Sequence, residues 1–114
     1  MAAYHGFTEG ASRNTQNLDS TAWVIYSPTE KLIASSGRFL GLATNNVVEY
    51  QATIGLMTEA LSSGISHLII YLDSQLVVSQ INGIYSIRDP MLLHLFKRKR
   101  LLERLFTYIR FYYI

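Results

Sequence analysis

The stretch of sequence that decides the fold runs from His67 to Ile81 and reads HLIIYLDSQLVVSQI. Its first six residues are mostly apolar, which predicts a strand over His67–Leu72 that is buried on both faces and therefore parallel to a neighbour. Asp73 stands at the carboxyl end of that strand. Ser74 is a suitable N-cap for a short helix over 75–82, which Gly83 ends. A buried strand followed directly by an acid and a helix is typical of an α/β domain.

The rest of the chain supplies four more strands and two more helices in this reading. Thr44 or Asn45 offers an N-cap for a long helix that reaches Ser63, with Gly64 as its left-handed stop. Asp89 and Pro90 start another helix, which we expect to end near 106. Strands are predicted over 4–8, 21–26, 32–39 and 107–114, with a turn over 27–31. The predicted order is β-β-β-α-β-α-α-β, a mixed five-stranded sheet with helices on its faces.

Length and composition limit the chain to one folded domain over residues 1–114. The 114 residues are 49% hydrophobic and 16% charged, against roughly 25% charged in an average soluble domain. Such a chain is rich in core residues and is not disordered. No window has the roughly 20 apolar residues of a membrane span, and the first ten residues lack signal-peptide character. We therefore expect a soluble intracellular protein with no membrane partner.

The charged residues are unevenly distributed along the chain. The net charge is only +2. However, residues 1–87 hold three basic and six acidic side chains, whereas residues 88–114 hold seven basic and two acidic ones. An acidic body with a basic end suits a protein that binds cations at one place and a polyanion beside it. A solvated basic helix face explains the same pattern.

Three acidic residues stand where the predicted elements could bring them together. Glu9 ends the first strand, Glu49 lies in the first turn of the long helix, and Asp73 ends the buried strand. If the first and fourth strands are neighbours, the three carboxylates converge. Each residue also has a simpler interpretation: Glu49 as a partner of the helix dipole, Asp73 as a cap, and Glu9 as an acid of a turn.

The residue types available limit the metal that such a cluster could hold. The chain has no cysteine and three histidines, so cysteine zinc sites, disulfides and thiol nucleophiles are excluded. Converging carboxylates repel each other unless a divalent cation neutralises them. Oxygen ligands alone favour Mg²⁺ or Mn²⁺. Two such ions would suit phosphodiester hydrolysis, because they orient an attacking water and stabilise the leaving oxygen.

Three motifs resemble the ribonuclease H domain of the type found in plant proteins, archaea and plant retroelements. The segment EGASR at 9–13 is similar to that family's Asp-Gly-Ala-Ser-Arg, and TNNVVEYQA at 44–52 is similar to its Thr-Asn-Asn-x-Ala-Glu-Tyr-x-Ala. The segment DSQLVVSQ at 73–80 matches its Asp-Ser-Gln-Leu-Val-Val-x-Gln. The resemblance covers the whole chain in register and implies a ribonuclease H-like fold.

This resemblance implies hydrolysis of the RNA strand of RNA–DNA hybrids, with two magnesium ions held by four carboxylates. Glu49 and Asp73 then take the second and third carboxylate positions. Glu9 replaces the aspartate that bridges both ions, and its extra methylene displaces the carboxylate. The fourth acid lies, in the family, on a helix after the last strand. We therefore expect a domain that is incomplete at its C-terminal end and lacks the final helix.

The resemblance also implies which residues contact the hybrid. Asn45, Asn46 and Gln75 match positions that read the minor groove and the 2′-hydroxyls. Ser12 and Arg13 match a loop whose backbone approaches the RNA strand. Thr44 is a candidate phosphate contact. Simpler interpretations are a helix cap for Asn45 and a solvent-facing helix residue for Gln75.

Two functions follow from these observations. The first is a hybrid ribonuclease related to retroelements, with Glu9, Glu49 and Asp73 as its metal ligands. The second is a catalytically inactive relic that at most binds nucleic acid, suggested by Glu9 and the absent fourth acid. The basic run 97–100 is a candidate for DNA-strand phosphates in either case. In addition, an uncovered C-terminal strand, with Tyr112 and Tyr113, is expected to favour self-association.

Overall fold

The computed structural model describes residues 2–13, 18–41, 44–83 and 86–114, and within these ranges it does not describe the side chains of 10–13, 18–20, 39 and 40. Five strands and three helices make up the described part. They follow the predicted order of elements: β1 Tyr4–Arg13, β2 Leu18–Tyr26, β3 Leu32–Gly41, α1 Asn45–Ser62, β4 His67–Leu72, α2 Gln75–Ile81, α3 Pro90–Glu103 and β5 Tyr108–Tyr113.

The five strands form one mixed sheet in the order β3-β2-β1-β4-β5. The first three strands form an antiparallel meander. Strand β4 is parallel to both β1 and β5. This confirms that the first and fourth strands are neighbours. The register pairs Phe7 of β1 with Tyr71 of β4, which fixes where the ends of these two strands lie relative to each other.

All three helices lie against one face of the sheet, so the prediction of helices on its faces is narrowed to a single face in the described part of the chain. The long helix α1 packs on β1 and β2, and α3 packs on α1. The backbone of β1 at Gly6 lies so close to α1 that a Cβ there would stand 2.6 Å from a methyl of Leu56. The core is one cluster, which includes Tyr50, Ile70 and Phe111.

The opposite face of the sheet carries a row of aromatic side chains. Phe7 stacks on Tyr71 with ring centroids 4.9 Å apart and meets Tyr26 edge-on at 5.9 Å, while Tyr112 extends the row at 6.1 Å from Tyr71. Strand β4 accordingly alternates between half-buried and fully buried residues. The expectation that it is buried on both faces is wrong, because the described helices cover only one of them.

Local sequence signals set the helix ends. The side-chain oxygens of Thr44, Ser74 and Asp89 accept backbone N–H bonds at the starts of the three helices. Gly64, with a φ of 77°, ends α1. Beyond it the N–H of Ile65 donates to the carbonyl of Ala60 at 3.0 Å, as in a Schellman motif. These caps confirm the predicted helix starts.

Three boundaries differ from the prediction by three residues or more. The strands β1 and β2 extend to Arg13 and from Leu18, into a segment predicted as a polar connection, because their backbones pair there. Helix α3 ends at Glu103 rather than near Phe106.

Among the described helices, none combines the length and the apolar character needed to cross a membrane.

Candidate functional site

The candidate site lies where β1, β4 and the start of α1 meet. Because Phe7 pairs with Tyr71, Glu9 and Asp73 each follow two residues further along and reach the same level of the two parallel strands. The N-terminal part of α1 brings Glu49 to this end of the sheet from the helix side. The strand neighbourhood on which the predicted convergence depends is therefore present.

Glu49 is buried at this point and is held by two hydrogen-bond donors. Its side chain is 3% exposed. The hydroxyl of Thr8 donates to its Oε1, and the backbone N–H of Asp73 also donates to the carboxyl. Helix α1 begins at Asn45, so Glu49 is in its second turn rather than the first. The burial of Glu49 and its two hydrogen-bond donors indicate a role beyond an interaction with the helix dipole.

Burial raises the pKa of the Glu49 carboxyl above its usual range. The hydrogen bonds from Thr8 and from the Asp73 backbone lower it, and the nearby charge of Asp73 raises it further. The net direction is upward, so the local environment disfavours a second negative charge beside Asp73. A divalent cation would reverse this preference, since it stabilises both carboxylates in their ionised form.

Glu9 lies level with Asp73 along the paired strands but stands apart from Glu49. The backbone of Gly6 faces Leu56 of α1, and Thr8 faces Glu49. Side chains alternate along a strand, so Glu9 points to the other face, where it is exposed. Within the described ranges, no group of three acidic or histidine side chains is arranged to hold a metal ion. The structure thus brings two of the three predicted carboxylates together.

The residue types still suit a hard cation. Both members of the Glu49–Asp73 pair supply carboxylate oxygens, which Mg²⁺ and Mn²⁺ prefer. Asp73 is exposed and therefore accessible to a hydrated ion. The pair fits such an ion in donor chemistry, and Glu9 would have to turn towards it to complete a three-carboxylate set.

The predicted hybrid-binding residues surround this end of the sheet. Thr44 caps α1, and Asn45 and Asn46 are the first two residues of that helix, so the cap interpretation applies to Thr44 and not to Asn45. Gln75 is the first residue of α2 and is exposed. Ser12 and Arg13 end β1, and their side chains lie outside the described residues.

Two buried contacts at the site were not predicted from the sequence. Thr8 positions Glu49, as described above. The hydroxyl of Tyr50 donates to Oε1 of Gln80 at 2.9 Å, with both residues buried. Successive residues of α1 therefore hold the segment from Asp73 to Gln80 at both ends. The signal in the sequence for this contact is that Tyr50 lies in the motif 44–52 and Gln80 in the motif 73–80.

The basic run on α3 divides into two kinds of residue. Lys97, Arg98 and Arg100 are exposed. Lys99 is fully buried, and its Nζ donates to Glu103 at 2.8 Å while lying over the rings of Phe96 and Phe111. The interpretation of this run as a solvated basic face therefore applies to Lys97, Arg98 and Arg100 but not to Lys99.

Solved structures of ribonuclease H domains superpose on this chain. RNase H1 of the halophilic archaeon Halobacterium salinarum superposes with a TM-score of 0.92 at 31% identity, over 99% of this chain and 86% of that one. The N-terminal RNase H domain of Rv2228c from Mycobacterium tuberculosis gives 0.91 at 27% identity, over 99% and 87%. The fold places the chain in the class of ribonuclease H-like domains.

The family assignment rests on sequence. A profile of the family described as reverse transcriptase-like matches residues 7–114, and the chain belongs to that family. It is also similar to ribonuclease HI of Halobacterium salinarum, with 35% identity over 100 residues that cover 88% of this chain and 48% of that protein. The chain thus spans about half the length of that relative.

Proposed function

We propose that this domain is a ribonuclease H-type endonuclease that hydrolyses the RNA strand of RNA–DNA hybrids. The observation that carries the proposal is the buried Glu49 carboxyl, held by Thr8 and by the backbone of Asp73 at the end of the central parallel strands. The family membership and the similarity to a protein named ribonuclease HI support it. The reverse transcriptase-like family is compatible with a retroelement origin.

The proposed cofactor is Mg²⁺ or Mn²⁺, with two ions in the active form. Asp73 and Glu49 would hold the metal, and Glu9 would be the third ligand after turning towards them. When bound, the metal supplies Lewis-acid activation of water and of the scissile phosphate. Thr8 keeps Glu49 oriented in this arrangement, because its hydroxyl donates to Oε1 of the carboxylate.

The proposed contacts to the hybrid lie on both sides of the carboxylates. Asn45, Asn46 and Gln75 present amide groups that suit sugar hydroxyls and base edges in the minor groove. Thr44 adds a hydroxyl for a phosphate, and Ser12 and Arg13 are assigned to the RNA strand from the motif alone. These contacts distinguish RNA from DNA by the 2′-hydroxyl and the shape of the duplex.

A second candidate is a domain that binds hybrids without cleaving them. It is favoured by two observations: Glu9 is exposed on the sheet face opposite Thr8 and Glu49, and no three acids of the described residues are grouped to hold a metal ion. A displacement of the order of 1 Å in a reacting group can reduce a rate by about 10²-fold. The replacement of the bridging aspartate by Glu9 is sufficient for such a loss.

A cleavage assay with a fluorescent RNA–DNA hybrid separates the two candidates. We expect Mg²⁺- or Mn²⁺-dependent cleavage by the intact chain and none by the Glu49→Gln/Asp73→Asn variant. Glu9→Asp should raise the rate, because the shorter side chain restores the family's bridging residue. Hybrid binding without cleavage above that of the double variant, in either metal, would support the binding domain instead. Absence of hybrid binding at low salt would refute both candidates.

The proposed partners include a second copy of the chain. Strand β5 is at the edge of the sheet, and its end is apolar and exposed, with Tyr112, Tyr113 and Ile114 at 48%, 53% and 57%. An unpaired edge of this kind favours pairing with another strand. Light scattering at increasing concentration tests this, with Tyr112→Lys as the variant expected to remain monomeric. A monomeric parent chain at high concentration would contradict self-association.

A further inference from the structure

A cavity of about 350 Å³ opens on the helix side of the domain, between the sheet, α1 and α3. Its lining includes Glu59, ten residues after Glu49 on the same helix. At 1.5 Å per residue, this places the cavity roughly 15 Å along α1 from the carboxylate pair. The cavity is therefore separate from the candidate catalytic site and is not used by the proposed hydrolysis.

The floor of the cavity is a fixed polar cluster. Trp23 is 6% exposed, and its indole Nε1 donates to Oε1 of Glu59 at 2.8 Å. The hydroxyl of Ser36 donates to the other oxygen, Oε2, at 3.3 Å. Each carboxylate oxygen of Glu59 thus has a donor from the sheet. This arrangement holds the negative charge in place without a cation.

Two arginines from distant parts of the chain line the same cavity. Arg38 comes from β3 and Arg98 from α3. Neither forms an ion pair with Glu59, although all three line one cavity in the described part of the structure. Their guanidinium groups retain donors for a ligand. With two positive charges against one negative charge, the lining favours an anion.

The hydroxyls at the rim add acceptors rather than donors. Thr58 donates to the carbonyl of Ile54 at 2.8 Å, and Ser62 donates to the carbonyl of Thr58 at 3.1 Å. Each hydroxyl hydrogen is used within the helix, so the hydroxyl oxygens can only accept hydrogen bonds from a ligand. A suitable ligand therefore combines an anionic group for the arginines with O–H or N–H donors for Thr58 and Ser62.

We propose that this cavity binds a phosphate group that belongs to a nucleotide. Guanidinium groups pair with phosphate oxygens through two parallel N–H bonds, which makes arginine the residue suited to this anion. The sugar hydroxyls or base N–H groups of a nucleotide supply the donors that Thr58 and Ser62 accept. The phosphate has two sources, a free mononucleotide or the backbone of a nucleic-acid strand, and the volume of about 350 Å³ admits either a mononucleotide or one residue of a strand.

The test uses the fluorescence of Trp23, the single tryptophan of the chain, which lies in the cavity floor. We titrate the intact chain with adenosine 5′-monophosphate, with adenosine, and with a single-stranded DNA oligonucleotide that lacks terminal phosphates. Saturable change with the monophosphate and none with adenosine supports a free nucleotide. Saturable change with the oligonucleotide and none with the monophosphate supports the backbone source.

Variants decide whether the two arginines are responsible. Arg38→Gln and Arg98→Gln should each weaken binding about tenfold, which corresponds to one charge-assisted hydrogen-bonded contact. Arg98→Lys should give an intermediate loss, because it keeps the charge without the planar fork. Arg104→Gln is the matched control, since it removes the same charge from an exposed position outside the cavity, and its binding should change less than twofold.

Two results would overturn the proposal. One is the absence of any saturable change with either phosphate-containing probe. The other is an equal loss of binding in Arg104→Gln, which would indicate general attraction by the basic end of the chain rather than a site. Neither result depends on hydrolysis, so the proposal and the ribonuclease function fail independently.

Discussion

Replacing Gly55 by alanine is expected to destabilise the domain, although alanine is the better helix former. Gly55 lies inside α1, directly over the indole of Trp23. A Cβ on this residue would stand 2.5 Å from Cζ3 of the ring and closer still to Cη2. Carbon atoms in contact are normally about 3.5 to 4.0 Å apart, so the helix or the ring must move by about 1 Å.

Two terms of opposite sign set the magnitude. Alanine is favoured over glycine in a helix interior by about 1 kcal/mol. Against this, overpacking a core costs about 1 to 3 kcal/mol, and displacement of Trp23 weakens its bond to the Glu59 carboxylate, which is worth roughly 1.5 kcal/mol or more. The net expectation for Gly55→Ala is a loss of about 2 kcal/mol, or roughly 8 °C in Tm for a domain of this size.

Urea and thermal unfolding, followed by far-UV circular dichroism and by the fluorescence of Trp23, measure this loss. Ser62→Ala on the same helix is the control, since this residue is exposed and its replacement should change stability by less than about 0.5 kcal/mol. In a Trp23→Phe background the smaller ring should make Gly55→Ala neutral or stabilising. If Gly55→Ala stabilises the parent chain by about 1 kcal/mol, as helix propensity alone requires, the close packing of α1 on β2 is refuted.

Two further predictions concern other buried polar contacts. Tyr50→Phe removes the donor to Gln80 and should lower the free energy of unfolding in urea by about 1 to 3 kcal/mol, because it leaves the buried Oε1 of Gln80 unpaired. The Tyr50→Phe/Gln80→Met variant should recover part of this loss. A Tyr50→Phe variant as stable as the parent chain would contradict the prediction. Burial lowers the pKa of Lys99, although the hydrogen bond and charge of Glu103 oppose this effect. Between the lowered pKa and the ordinary value of 10.5, the unfolded chain therefore binds more protons than the folded one. Stability should therefore rise through this window relative to Lys99→Met, and parallel profiles of unfolding free energy against pH would contradict the prediction.

The helix starts could be predicted from sequence because their signals are local. Thr44, Ser74 and Asp89 are short polar residues placed directly before helical segments, and each one caps its helix. The apolar run 67–72 indicated a parallel strand. The pairing of β1 with β4, in contrast, was a condition that the residues alone left open, and the structure meets it.

The remaining features depend on contacts that the sequence pattern does not encode. The extension of β1 and β2 depends on backbone pairing. The polar segment 11–20 has no alternation of polar and apolar side chains from which this pairing could be predicted. The direction of Glu9 follows from the register of β1, and a one-residue shift would reverse it. Lys99 resembles its exposed neighbours in sequence, and only the packing of α3 against Phe111 buries it.

The pairing of β1 with β4 also has a kinetic consequence. The meander β1 to β3 is built from neighbouring segments, so its loops close quickly, whereas β4 must return across about sixty residues to reach β1. Glu9 and Asp73 lie on opposite sides of this junction. A folding intermediate that contains only the meander therefore lacks the candidate site. During refolding the site should form at the slowest step of chain closure, after the first secondary structure has formed.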